Sequence, residues 1–486
     1  MKFTITTLGC KVNTAESEAL VRELQAAGWS QVVDGEAADL CVVNTCTVTG
    51  RASMQSRQVI RQLQRLHPKA KVIVTGCYAQ TEPEAIREIG GVAAVVGAAD
   101  KGRLSSIIPG IIDRDPSESA SISKRETDHG PLAPPAVVSS GTRTRPFLKV
   151  QDGCDQFCTY CIVPHARGRS RSLPTDAALE ALAAFGAAGF QEVVLTGIHL
   201  GAYGGDLHPA THLLDLVERI EKLRPVSRVR LSSVEPNELS DDLIRCVAHS
   251  GVICPHFHLP LQSGDDDILK RMKRPYDRAL FRDRVQRARE AMPHAAIGAD
   301  VLAGFPGETE AAFRNTLDLI EGLPLTYLHV FPFSPRKGTP AFHFPDQVSP
   351  DVAKARCSEI RRLGDLKRSE FMEAQVGRTL DVLTEQRRDH RTGMLKGVSG
   401  NYQNVVLEGG DHLTNRIVST KITGVAGSRI LEGARLEARG ERRKAKAASR
   451  KQRAARSKQR VERQRLKARG ARLEKKAKAA SRKSNG

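Results

Sequence analysis

Six of the ten cysteines in this 486-residue chain stand where thiolates could share a metal centre. In GCDQFCTYC, Cys154, Cys158 and Cys161 follow the spacing C-x3-C-x2-C within one short loop. A structural zinc site normally takes four ligands, and so does an iron–sulfur cube held only for electron transfer. Three thiolates on four irons leave one iron open to a small molecule. The triad therefore reads as a site-differentiated iron–sulfur cluster whose gap is the active site. A Cys3His zinc knot completed by His165 and a chance cluster of structural thiols are the alternatives. The other three cysteines, Cys10, Cys46 and Cys77, are far apart in sequence, yet each follows an apolar run: TTLGC, VVNTC and VTGC. The carboxyl ends of strands in a parallel sheet share one edge, where ligands bind. Three such cysteines can converge there on a second cluster. Cys41, Cys246, Cys254 and Cys357 read as small buried hydrophobes.

The elements that must position these thiols follow from periodicity. Residues 1 to about 108 alternate β-branched runs with helically spaced segments such as TAESEALVRELQAAG, which predicts a parallel sheet with helices on its faces. Residues 109–142 are rich in Pro, Ser and Gly and read as a linker, with room for one short strand in PAVV. Between residue 143 and about 371 come six strand–helix units, from FLKVQDG to LHVFPFSP, ending in a long polar helix. Six units predict a partial (β/α)6 barrel, with the C-x3-C-x2-C loop after its first strand, where barrel enzymes carry their chemistry. Residues 372–438 break into short strands punctuated by Gly and Asn and predict a small antiparallel β-barrel.

Composition sets the remaining bounds. Hydrophobic content of 40% and charged content of 27% suit a globular, multi-domain chain. No apolar run reaches membrane-spanning length and no secretory segment opens the sequence, so a cytoplasmic protein with reduced cysteines is expected. The formal charge is +20, yet residues 440–486 hold twenty Lys/Arg against three Asp/Glu, a net of +17. This low-complexity tail (residues 439–486) repeats KAKAASRK and reads as disordered, with a polyanionic partner, nucleic acid before membrane.

The set GCKVN, NTC, TGCYAQ and GCDQFCTYCIVPHARG resembles the methylthiotransferase family of radical S-adenosylmethionine (SAM) enzymes, over about residues 3 to 437. The resemblance implies an N-terminal methylthiotransferase domain, a radical SAM core and an RNA-binding barrel of the TRAM type. It implies two [4Fe–4S] clusters: Cys154, Cys158 and Cys161 on the one that cleaves SAM to a 5′-deoxyadenosyl radical, and Cys10, Cys46 and Cys77 on an auxiliary one that handles the inserted sulfur. Gly197, Ser232, Glu235, Gln262 and Asp300 stand where a SAM pocket is expected, while FPFS puts Phe333 where the family usually has tyrosine. GCKVN and NTCTVT are similar to the branch acting on threonylcarbamoyladenosine beside the tRNA anticodon; the isopentenyladenosine branch more typically reads GCQMN. The implied partners are the tRNA anticodon loop, a reductant such as a flavodoxin or ferredoxin, and a sulfur donor, with the enzyme as a monomer. The rival readings are an isopentenyladenosine enzyme, a modifier of a ribosomal-protein aspartate, and a non-catalytic iron–sulfur RNA-binding sensor.

Overall fold

The apolar runs that precede Cys10, Cys46 and Cys77 become neighbouring strands of one sheet. The fold, taken from a computed structural model, is described for residues 1–32, 36–98, 100–113, 120–122, 132 and 143–436. Strands β1 (Lys2–Thr7), β2 (Ser30–Gln31), β3 (Leu40–Thr45), β4 (Lys71–Gly76), β5 (Ala94–Val96) and β6 (Ala120–Ile122) form an all-parallel sheet in the order β2–β1–β3–β4–β5–β6. Both faces are covered, which is why β3 reads as an unbroken apolar run instead of alternating. Leu40 and Val42 pack with Leu20, Leu24 and Ile108 on one side, and Cys41 and Val43 with Ile60 and Leu63 on the other. The boundary expected near residue 108 falls inside the helix Leu104–Ile112, and β6 extends the sheet into the segment read as linker. A strand of three residues carries too little pattern to show among Pro, Ser and Gly. The strand considered in PAVV, and the tail from residue 437, lie outside the described residues.

The six expected barrel strands are present as β7 (Phe147–Lys149), β8 (Glu192–Thr196), β9 (Arg228–Leu231), β10 (His256–Gln262), β11 (Ala296–Ala303) and β12 (Tyr327–Pro332). They form two parallel three-stranded sheets, β9–β8–β7 and β10–β11–β12, linked by a single bridge between Val229 and Ile253. The result is an arc of strands, the partial barrel expected, with helices packed on its outer face through one apolar core.

After the Ser349-capped helix Pro350–Glu373, strands β13 (Thr379–Arg388), β14 (Leu395–Ser399), β15 (Asn404–Leu407), β16 (Ile417–Gly427) and β17 (Ile430–Arg435) close a barrel in the order β13–β14–β15–β17–β16. The small antiparallel barrel expected is present, with one parallel pair, β15 and β17. Five strands cannot alternate direction all the way round a closed ring, so at least one neighbouring pair must be parallel. This barrel is fastened to β9 by arginines. Arg228 donates to the carbonyls of Asp381 and Val398, and Arg230 to those of Ser399 and Gly400. Both guanidinium groups are ion-paired to the fully buried Glu192, at 2.7 and 2.8 Å.

Candidate active site

The N-terminal triad is built by register. Thr45 of β3 is paired with Gly76 of β4, so Cys46 and Cys77 leave adjacent strands at the same level. Cys10 leaves β1, the other neighbour of β3, and forms the N-cap of the helix Lys11–Ala26. The glycines before Cys10 and Cys77 are required by backbone shape: Gly9 and Gly76 have φ of 98° and 97°, a region that penalises any side chain. A Cβ on Gly9 would also lie 2.7–2.8 Å from Cβ and Sγ of Cys46. Cys46 and Cys77 are buried while Cys10 is exposed, so the group opens on one side. Burial pushes the Cys46 thiol up to about 11, and the nearby Cys77 and Cys10 add to that rise.

The barrel triad sits in the loop after β7. Gly153, again at positive φ, turns the chain into Cys154. Cys158 accepts a hydrogen bond from Arg274 Nη1 at 3.2 Å, and Cys154 Sγ lies 3.6 Å from His199 Nδ1. Burial pulls the His199 pKa down, but its hydrogen bonds to Cys154 and Glu238 outweigh this and lift it to about 10. Burial likewise pushes Cys161 up to about 12, helped by Cys158. The histidine beside this triad is thus His199; His165, the candidate fourth ligand of a zinc knot, is exposed and packs edge-on against Phe157. Among the described residues, the three ligating side chains whose donor atoms all lie within 4.8 Å of one another are His258, Asp300 and His329, not either cysteine set. Two all-thiol sets, each more open than a single shared ion requires, fit polynuclear clusters better than mononuclear zinc.

Between the triads lies a buried ionic network. Arg167, only 3% exposed, donates to Glu16 at 2.9 Å, to Asp152 at 2.8 Å and to Asn13. Lys149 reaches the same two carboxylates at 2.8 and 3.0 Å, and Lys101 pairs with Glu16. Against the cost of burial, Arg167, Lys101 and Lys149 hold the Glu16 carboxyl well below its usual range. Arg167 and Asp152 flank the barrel triad in sequence, while Asn13 and Glu16 are on the helix that Cys10 caps, so this network couples the two domains.

The residues expected in a SAM pocket divide into two groups. Gly197 leaves room for Gln151, whose Oε1 accepts from the His199 amide at 2.8 Å. Ser232 is buried and its hydroxyl has no partner among the described residues. Glu235 accepts from Arg274, the residue that also reaches Cys158, and its burial raises its pKa. Gln262 ends β10 at a register shift, with a left-handed φ of 62°. Asp300 stands in the second group, bound by His258 at 2.9 Å and His329 at 3.2 Å. Phe333 packs edge-on against Phe305 within an apolar cluster. Sequence reading missed Arg167, His199, Glu238 and Arg274. The first lies in the VPHARG segment; His199 and Arg274 are single polar residues in loops and Glu238 ends the short 3-10 helix Pro236–Glu238, none with a local signal.

Residues 2–97 match the family described as "Uncharacterized protein family UPF0004", and residues 148–320 match the radical SAM superfamily. A threonylcarbamoyladenosine tRNA methylthiotransferase of Bacillus subtilis (strain 168) is 38% identical, covering 86% of this chain and 92% of its own. The protein of the same name from Rickettsia prowazekii is 40% identical over 78% of this chain and 87% of its own. A tRNA-2-methylthio-N(6)-dimethylallyladenosine synthase of Pelotomaculum thermopropionicum is 32% identical over 87% and 95%. Among solved structures, a radical SAM methyltransferase from Kitasatospora setae with cobalamin and a [4Fe–4S] cluster bound shares the fold. Its TM-score is 0.51 at 17% identity, over 70% of this chain and 76% of that one.

Proposed function

The chain belongs to the radical SAM tRNA methylthiotransferase family, and from that premise we propose that it adds a methylthio group to C2 of threonylcarbamoyladenosine beside the tRNA anticodon. The observation that carries this reading is the pair of three-cysteine sets, in two domains held together by Arg167 and its buried carboxylates. Cys154, Cys158 and Cys161 are proposed to hold the SAM-binding [4Fe–4S] cluster, and Cys10, Cys46 and Cys77 a second, auxiliary [4Fe–4S] cluster. With the cluster and SAM held by Cys154, Cys158 and Cys161, the cofactor would supply the radical that an unreactive C2–H bond demands, and a second SAM would supply the methyl group.

The protein's own part is positioning and exclusion. Arg274 ties Cys158 to Glu235, and Gln151 fixes the backbone of His199 beside Cys154. The unpartnered Ser232 hydroxyl and Glu235 suit the polar groups of a nucleoside cofactor, with Gly197 allowing close approach; Gln262 and Asp300 are proposed to complete the pocket. The C-terminal barrel is proposed to grip the tRNA, and a flavodoxin or ferredoxin to deliver electrons to the monomeric enzyme in the cytoplasm. The test is direct. Reconstituted enzyme with SAM and reductant should thiomethylate RNA carrying threonylcarbamoyladenosine and release 5′-deoxyadenosine. A preference for isopentenyladenosine RNA would overturn the substrate assignment, and absence of 5′-deoxyadenosine would overturn the chemistry.

A further inference from the structure

A cleft of about 400 Å³ opens beside the N-terminal triad, and Lys11, Arg143, Arg145, Arg230, Arg387 and Tyr402 line it. Three parts of the chain contribute: the residue following Cys10, the entry to the radical SAM core, and the C-terminal barrel. Five cations face a single carboxylate, Glu385, which is 3.4 Å from Arg145. Several of these cations are already engaged. Arg230 serves Glu192 and two carbonyls, and Arg143 holds Glu18 at 2.7 Å. Among the described residues, no hydrogen bond or ion pair engages Lys11 or Arg387. The cleft thus presents two cations whose hydrogen-bonding groups are not taken up by the described residues.

C2 and C6 are the two ring neighbours of N1 in adenine, so a base presented to the cysteine sets by C2 carries its N6 substituent alongside the same site. A threonylcarbamoyl group extends N6 by a carbamoyl-linked amino acid with a free carboxylate, whereas an isopentenyl group has no charge. We propose that Lys11, with Arg387 in the same cleft, binds that carboxylate and so selects the threonylcarbamoyl nucleoside over one with an apolar N6 substituent; this rests on the substrate reading above. An anion arriving among these cations gains charge-assisted hydrogen bonds, which are about twice as strong as neutral ones.

A phosphate of the tRNA backbone would satisfy the same cations, so the experiment separates the two sources. Three forms of one anticodon stem–loop are compared for binding to the cluster-loaded, full-length protein: with adenosine, with threonylcarbamoyladenosine, and with its uncharged methyl ester. The wild type should bind the carboxylate form about 10- to 100-fold more tightly than the ester, as one charge-assisted contact allows. Lys11→Gln and Arg387→Gln should each bring that ratio towards one. An unchanged ratio in both variants overturns the proposal, and so does equal weakening on all three RNAs, which is the signature of a phosphate contact. Iron content is measured on Lys11→Gln because of its place beside Cys10; if iron is lost, Arg387→Gln, on β13, decides between the outcomes. Failure of the wild type to modify threonylcarbamoyl RNA is a different result, and it removes the substrate assignment itself.

Discussion

Replacing Glu192 by glutamine removes the charge that pairs with Arg228 and Arg230 while leaving their bonds to the C-terminal barrel geometrically possible. Glu192 is fully buried, and although burial opposes ionisation, Arg230 and Arg228 lower its pKa from 4.5 to about 2. That depression corresponds to about 3 kcal/mol of stability at neutral pH, on the basis that each pKa unit is worth about 1.4 kcal/mol. The figure agrees with the roughly 3–5 kcal/mol lost when one partner of a buried pair is removed. Because the folded pKa is depressed, the contribution is complete above pH 4.5 and disappears as the pH falls towards 2. Wild type and Glu192→Gln should therefore differ by about 3 kcal/mol at pH 7, and the gap should narrow by about 1.4 kcal/mol by pH 3.5. Hydrogen exchange of peptides from residues 379–407, read by mass spectrometry, reports on the barrel that these arginines fasten. A gap below about 1 kcal/mol at pH 7, or one that ignores pH, would refute the reasoning.

Replacing Cys154, Cys158 and Cys161 by alanine should remove about four irons per chain and abolish SAM cleavage, whereas replacing Cys10, Cys46 and Cys77 should remove about four others and leave 5′-deoxyadenosine release measurable. Iron analysis with product assay checks both. Arg167→Leu removes one of the two cations that Glu16 and Asp152 share, leaving Lys149, and should cost roughly 1–3 kcal/mol in urea denaturation; Arg167→Lys, which cannot reach Glu16, Asp152 and Asn13 together, should recover only part of it. Deleting residues 440–486 should flatten the dependence of log K for tRNA on log salt, by roughly 3.5 units if five of the twenty tail cations meet single-stranded phosphates. Cluster content and the choice of nucleoside should be unchanged.

What could be read from the sequence was what is encoded locally. Cys10, Cys46 and Cys77 were legible because a parallel sheet turns three separate strand ends into one edge, so the pattern apolar run–Cys already specifies the meeting point. Cys154, Cys158 and Cys161 were legible because their spacing fits one loop. The partners of these thiols were not. Arg274 reaches Cys158 across 116 residues and His199 reaches Cys154 across 45, and neither has a neighbour in sequence that hints at its role. His165 was considered because it is near in sequence; His199 is the one near in space. The strand Ala120–Ile122 was hidden for a different reason. Three residues cannot display a period, and only its pairing with Ala94–Val96 identifies it.

The ionic network also explains why two domains with so different a pattern stay in register. An apolar interface would hold them together, but it would leave thiolate-rich sites beside a surface with no charge to answer theirs. Among the described residues the network instead holds more cations than carboxylates: Arg167, Lys101 and Lys149 share Glu16 and Asp152. Burial opposes the charge on Arg167, yet Glu16 and Asp152, and after them Cys77 and Cys10, raise its pKa, so its positive charge faces the thiols as well as the carboxylates. Buried ion pairs are weak sources of stability compared with apolar contacts. Their retention here follows from what the interface must do: join two domains through directional bonds while placing positive charge beside Cys77 and Cys10.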